Sequence, residues 1–281
     1  MDGSGHARQR LQGALVYALL VFACAVIIVP FIWMASTSVK ASSRDVWSRG
    51  LLSLIPRSFT LDWYVGLFRK LPVGQLIFNS VVVSVGSTVL NVIICALAAD
   101  ALARRRIVGA RAILFFFVAM MIVPQEVIAI PLYLIMASMG LLNSHEGLIL
   151  ALAAEGMSIV ILYRFFAEVP TEIIDAAKVD GATDLQLMCR IMLPLAMPAL
   201  MTVVLIQFIQ SWNAFIIPLV VAQEMSMYTL QIGMAFLNTD LYVQFESLMA
   251  MGALITVPTI VIFALTQRSV IRGITAGALK G

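Results

Sequence analysis

Charge is what this sequence has least of. Of its 281 residues only 12% are Asp, Glu, Lys or Arg, while 62% are apolar; a soluble domain carries about 25% and about 45–50% respectively. That ratio excludes an ordinary soluble fold, and the mean hydropathy of +1.01 points to a bilayer as solvent. Cysteine is equally sparse: Cys24, Cys95 and Cys189 show neither CxxC nor metal-ligand spacing, which excludes a disulfide framework and a zinc site. With His6 and His145 alone, the side chain that usually handles protons near neutral pH is scarce. A net charge of +3 gives no reason to expect nucleic acid as a partner. The chain has no G-x-x-x-x-G-K-[ST] phosphate loop, no HExxH, no GxSxG elbow and no acid pair in mid-membrane. Neither catalytic residues nor metal ligands are expected, and any energy input has to come from another subunit.

Long apolar runs are what the sequence has in abundance. Stretches at 13–36, 77–102, 112–137, 147–167, 198–222 and 247–267 are each long enough to cross a hydrocarbon layer as a helix, which takes about 20 residues. The expectation is an all-α integral membrane protein of six spans, with a short N-tail (1–12), one membrane domain (13–267) and a C-tail (268–281). Ala23-Cys24-Ala25 resembles a leader cleavage site, but the apolar run continues to Met34, beyond the core of about 7–15 residues of a secretory leader, so an uncleaved anchor is expected.

Orientation follows from where Lys and Arg lie. The N-tail, the loop with Arg104, Arg105, Arg106 and Arg111, the loop with Lys178 and Arg190, and the C-tail are basic, whereas 138–146 and 223–246 hold no Lys or Arg. Both termini are therefore expected in the cytoplasm. The long first loop, 37–76, conflicts with this by carrying Lys40, Arg44, Arg49, Arg57, Arg69 and Lys70 on the outside.

Polar residues inside spans are costly and so informative. On the second span Ser80, Ser84, Ser87, Thr88 and Asn91 share one helical face. They form either a small-residue packing seam or a wet lining. Gln207, Gln210 and Ser211 form a second stripe just before Trp212 and Asn213; amides are bulky for a seam, which favours a lining. Glu155 in the fourth span has to face protein or water. Ser84, Thr88, Asn91, Glu155, Gln207, Gln210, Ser211 and Asn213 are the candidate pathway residues. Asp100 is expected to pair with Arg104 one turn on, and Glu126 lies between Pro124 and Pro131, which allow a kink.

Residues 168–197, between the fourth and fifth spans, read as a helix, a glycine corner and a second helix. Thr171 is the expected cap of the first, Gly181 its stop, and Thr183 with Gln186 a capping box that opens the second, ending before Leu193-Pro194. Ala176 and Ala177, flanked by Asp175 and Asp180, form a low-relief surface suited to a soluble protein. An amphipathic hairpin lying on the bilayer is the alternative, but acids outnumber Lys178 and Arg190 here, the wrong sign for anionic headgroups.

The segment DAAKVDGATDLQLMCRIMLPLAMP (175–198) resembles the EAA loop of permease subunits of binding-protein-dependent ABC importers. The segments IPRSFTLDWYVGLF (55–68), NSVVVSVGSTVLNVIICALAADALAR (79–104), IPLYLIMASMGLLNS (130–144), SWNAFIIPL (211–219), YTLQIGM (228–234) and RGITAGALKG (272–281) look like recurring phrases of its carbohydrate branch, specifically the smaller maltose-type permease. The similarity runs over roughly residues 12–281. It departs where Asp175 replaces the usual Glu, Met188 a frequent aromatic, Ala214 a frequent acid and Asp100 a frequent Tyr.

The resemblance implies a non-catalytic subunit in a bacterial-type inner membrane that forms half of a sugar pathway. Its implied partners are a second homologous permease in a heterodimer, two ATP-binding subunits that use ATP and Mg, and an extracytoplasmic solute-binding protein. On that resemblance no cofactor is expected on this chain itself. Asp175, Ala176, Ala177, Asp180, Gly181 and Ala182 would form the ATPase-coupling surface, with Leu193 and Pro194 passing motion to the fifth span. The rival readings are an ABC permease for a non-sugar solute such as a polyamine, an ion-coupled secondary transporter using Glu155 or Asp100, and a membrane-embedded enzyme, for which no catalytic constellation is present.

Overall fold

A computed structural model describes residues 3–41, 54–56, 58–105, 107–239 and 244–278, with side chains described for 12–41, 54–56, 58–105, 107–238 and 244–269. The elements are α1 (Gly3–Thr37), α2 (Asp62–Lys70), α3 (Val73–Arg104), α4 (Ala110–Met120), α5 (Gln125–Ser138), α6 (His145–Ala153), α7 (Gly156–Ala167), α8 (Thr171–Val179) and α9 (Asp184–Leu187). A π-helical turn, Met188–Met192, follows. Then come α10 (Leu193–Leu195), α11 (Met197–Asn213), α12 (Ile216–Val221), a 3₁₀ turn (Met225–Met227), α13 (Leu230–Thr239) and α14 (Phe245–Ala278). Extended pairing among the described residues is confined to one antiparallel bridge, Lys40 with Phe59.

Three helical segments are long and apolar enough to span a membrane: Gln12–Thr37, Val73–Arg104 and Phe245–Ser269. Three bent pairs qualify together, α4 with α5 at 106°, α6 with α7 at 54°, and 184–195 with α11 at 82°, so the described residues hold up to six spans. The expected apolar runs are present, but half of them are broken.

Proline accounts for several of the breaks. Its ring clashes with the carbonyl four residues back and it donates no hydrogen bond. For Pro124 that carbonyl belongs to Met120, where α4 ends. For Pro218 it belongs to Ala214, the extended residue after α11. The run 198–222 is therefore not one span: α11 stops at Asn213 and α12 is a separate short helix. Pro194 has the opposite outcome. The second hairpin helix does not end before it but continues through the π turn, whose wider ring accommodates Pro194 at the start of α10.

The chain divides into two compact units. Residues 1–71 and 236–256 form the first. There the Trp33 and Phe245 rings lie 5.6 Å apart between centroids, Tyr64 Oη donates to Ser38 Oγ at 2.9 Å, and Trp63 Nε1 donates to Lys40 O. Among the described residues the apolar stretch of α1 is exposed along its length, which suits contact with lipid. Lys40, counted above among the loop charges, is buried, and its Nζ donates to Thr37 Oγ1 at 3.3 Å. It is thus not a solvated loop charge. Arg69 and Lys70 sit in the last turn of α2, where positive charge suits the helix dipole. Arg44, Arg49 and Arg57 lie outside the described residues.

Residues 72–235 and 257–281 form the second unit. One core joins Cys95, Ala99 and Leu102 of α3, Leu162 and Phe166 of α7, Ile174 and Ala177 of α8, and Leu187, Met188, Met192, Ala196 and Val203. Another joins Val83, Met136, Leu148, Ile217, Val221 and Ile232. At the start of α3 the fully buried Asn79 uses its whole amide. Its Oδ1 accepts from Gln75 Nε2 and meets His145 Nε2, both at 3.0 Å, and its Nδ2 donates to the carbonyls of Ser226 (2.8 Å) and Tyr228 (2.9 Å).

Candidate functional site

Two features of the second unit gather the residues singled out from sequence: the break between α6 and α7, and the hairpin that follows α7.

At the break, Ala154 and Glu155 leave helical geometry with ψ of 111° and 119°, and the chain turns by 54° before α7 begins at Gly156. Interrupting a helix orphans carbonyls that have to be satisfied when buried. Asn91 Nδ2 donates to Ala153 O and Gln207 Nε2 to Leu152 O, each at 2.7 Å. Glu155 caps α7: its Oε2 accepts from Ser158 N at 2.8 Å and Ser158 Oγ at 3.0 Å. A carboxylate at a helix N-terminus is favoured by the exposed N–H groups and the helix dipole. The expected inward Glu155 is therefore a cap at the corner of a broken span. Gly156 is required for packing, since a Cβ there would sit 2.9 Å from Phe117 O and 3.2 Å from Met121 Cγ.

Beside the break lies a cavity of about 90 Å³ whose polar wall is Gln125, Glu155, Gln207, Gln210 and Ser211. Ile128, Leu152 and Ile217 supply apolar wall. Four of the eight candidate pathway residues therefore meet here. Gln125 is not among the residues singled out from sequence; its signal is its place directly after Pro124, where the broken third span restarts, whereas its neighbour Glu126 is exposed in the first turn of α5.

The stripe on α3 turns inward. Ser80, Ser84, Ser87, Thr88 and Asn91 are all buried. Ser80 Oγ accepts from Leu230 N at 2.8 Å, Ser87 Oγ donates to Ser211 Oγ at 2.8 Å, and Thr88 Oγ1 donates to Ser84 O at 2.6 Å. None of Ser84, Thr88 or Asn91 lines the cavity. Asn213 is exposed and also lies off it, its Nδ2 donating to Ile209 O at 2.9 Å and its Oδ1 accepting from Gln231 Nε2 at 3.1 Å.

The hairpin has the expected corner and capping box. Gly181 has φ +81°, Thr183 Oγ1 accepts from Gln186 N at 3.3 Å, and Gln186 Oε1 accepts from Thr183 N at 2.9 Å. Thr171 does not cap α8. It is the first helical residue, the cap position is Pro170, and no side chain bonds there. Asp175, Ala176, Asp180 and Gly181 are exposed, and Ala182 is partly buried. Ala177 faces the core with Ile174, one turn of the same helix, and so lies off the exposed face. Leu193 packs on that core while Pro194 is exposed. Asp100 pairs bidentately with Arg104, and Arg105 Nη2 reaches Asp184 Oδ2 at 2.8 Å, tying the end of α3 to the hairpin.

Residues 91–276 match the family described as binding-protein-dependent transport system inner membrane component. The chain is 32% identical to the trehalose transport system permease protein SugB of Mycobacterium tuberculosis, over 90% of this chain and 93% of that one. It is 28% identical to the diacetylchitobiose uptake system permease protein NgcG of Streptomyces coelicolor, over 96% and 90%. Among solved structures, a chain of a bacterial ABC transporter involved in import of the acidic polysaccharide alginate superposes with a TM-score of 0.80 at 24% identity, covering 93% of this chain and 97% of that one. At that identity the likeness speaks for the fold.

Proposed function

Because the chain belongs to the family of binding-protein-dependent transport system inner membrane components, and is thus a multi-pass inner-membrane permease, we propose that it forms half of the translocation pathway of an ATP-driven importer of a sugar or oligosaccharide. The carbohydrate assignment draws on relatives named for trehalose and diacetylchitobiose. In this reading a second, homologous permease completes the pathway, two partner subunits hydrolyse ATP with Mg, an extracytoplasmic binding protein delivers cargo, and both termini face the cytoplasm. The chain itself is non-catalytic.

The observation that supports coupling most is the hairpin's construction. Its exposed face carries Asp175, Ala176, Asp180 and Gly181, while Ile174, Ala177, Leu187 and Met188 anchor the opposite face in one core with α3 and α7. A close-packed core transmits displacement instead of absorbing it. Closure of the ATPases pushes this hairpin as a lever; Leu193 and Pro194 carry the motion into α11, and the broken spans repack between two states biased by nucleotide and by cargo. Glu155, Gln207, Gln210 and Ser211 line the pathway, with Ser84, Thr88, Asn91 and Asn213 around it.

Gentle purification of the native assembly, with mass spectrometry of what remains bound, tests this. A second six-span permease and an ATPase are expected, with uptake in vesicles that follows ATP. Uptake that instead collapses with the ion gradient and ignores ATP would replace this reading with a secondary transporter.

A further inference from the structure

The hydrogen bonding around the cavity is one-sided. Gln207 is 1% exposed; its Nε2 is taken by Leu152 O and Ser211 Oγ, while its Oε1 has no partner. Glu155 gives Oε2 to Ser158, and its Oε1 makes no hydrogen bond among the described residues. Ser211 Oγ is saturated, donating to Gln207 O and accepting from Ser87 Oγ and Gln207 Nε2. The wall therefore carries one open acceptor, Glu155 Oε1, on a carboxylate held in place by its other oxygen, while Gln207 Oε1 is sealed behind it. Facing it are two exposed amides, Gln125 and Gln210, free to donate and accept.

A carboxylate oxygen without a protein partner takes its donor from water or from a ligand. Hydroxyl groups satisfy this wall in both directions, donating to Glu155 Oε1 and accepting from the amides of Gln125 and Gln210. A bare cation meets the oxygens but leaves the amide N–H groups unanswered. A carboxylate-bearing glycan meets the amides but faces Glu155 with like charge, and no Lys or Arg lines the cavity to offset it. At about 90 Å³ the space takes a pair of neighbouring hydroxyls and their carbons, not a whole sugar ring.

We propose that this cavity is a cargo-contacting selectivity subsite that accepts neutral, hydroxyl-rich solute and rejects polyanionic glycan, with Glu155 as the specificity-determining residue. It rests on the reading of this chain as half of the pathway.

The test uses the complete importer, with its partner permease and ATPase, in lipid nanodiscs. Saturation-transfer NMR is recorded with trehalose (neutral), digalacturonate (dianionic) and spermidine (cationic). The expected result is a trehalose signal exceeding that of digalacturonate by at least about tenfold. Glu155→Gln retains an acceptor for Ser158 N and removes the charge, so discrimination falls to within about threefold. Gln210→Arg, read on variant protein that inserts at the level of the unaltered chain, adds a cation to the wall and raises the digalacturonate signal. The proposal is overturned by equal or greater digalacturonate binding to the unaltered importer, by preference for spermidine, by no signal from any probe, or by discrimination that Glu155→Gln leaves unchanged. An ATPase that co-purifies and hydrolyses ATP while any of these occurs confines the failure to the subsite. Absence of an ATPase sinks the importer reading and the subsite with it.

Discussion

Two of the helix interruptions in the second unit, at Ala154-Glu155 and at Asp180-Gly181, are built by opposite means. The hairpin corner is local: a glycine at φ +81° with open space around it, and a capping box four residues long. The membrane break is held from a distance. Its orphan carbonyls are satisfied by Asn91, 62 residues away from Ala153, and by Gln207, 55 away from Leu152. Water can satisfy a corner at the surface, so local chemistry is enough there; within a bilayer no solvent completes the break, and other helices have to. The two glycines embody the same contrast. Gly181 is needed for its backbone, Gly156 for the lack of a side chain against Phe117 O.

Exchanging what each glycine lacks should separate the two most sharply. Gly156→Val places atoms against a backbone carbonyl that is not free to move aside and should cost about 3 kcal/mol. It should be read as a lowered thermal midpoint in detergent and a poor yield of inserted protein. Gly156→Asn should be nearly as damaging, whereas Gly181→Asn, a residue that tolerates left-handed geometry, should insert and transport almost normally. Equal tolerance of Asn at both positions would erase the distinction.

Removing the distant support comes next. Asn91→Leu keeps shape but leaves Ala153 O buried without a donor, at about 2 kcal/mol. Hydrogen exchange should accelerate at 152–158 while the hairpin amides keep their protection. A uniform acceleration would mean that the two regions open as one unit.

At the corner, Gly181→Val forces a β-branched residue into φ +81° at roughly 1–2 kcal/mol. Because the strain falls on the proposed coupling surface, its larger effect should be on uptake, with insertion at the level of the unaltered chain. Normal uptake by a fully inserted variant would remove the hairpin from the coupling role. Thr183→Ala, which deletes half of the capping box, should cost about 1 kcal/mol and appear as faster proteolysis within 180–188.

The same contrast explains what could be read from the sequence. Gly181, Thr183 and Gln186 announce their geometry through residues three apart, and the Asp100–Arg104 pair through helical spacing, so these emerged without coordinates. Apolar length located the spans but not their bends. Pro124 and Pro218 were visible, yet whether a proline kinks, ends or is absorbed by a π turn, as Pro194 is, depends on the carbonyl it meets. The inward stripe on α3 had two readings because period places residues on one face without saying what covers it. Asn91 and Gln207 looked alike as intramembrane amides. Only the fold shows that both hold the break while Gln207 alone also lines the cavity.

The smallest effect expected is at the ion pair that, among the described residues, joins the hairpin to a span across the sequence. Arg105 and Asp184 are 63% exposed on both sides, so water and salt screen them and the pair contributes at most about 0.5 kcal/mol. If the hairpin moves as a lever, stiffness has to reside in the apolar core that Leu187, Met188 and Met192 share with Ala99 and Leu102. Arg105→Gln should then leave the thermal midpoint and the uptake rate nearly unchanged, and raising ionic strength should reproduce its effect. Leu187→Ala, which removes buried apolar volume from the same joint, should lower both at about 2–4 kcal/mol if the core carries the load. Uptake that drops several-fold with Arg105→Gln, and falls again with salt, would place the transmission in the surface charges and make the hairpin a flexible tether instead of a lever.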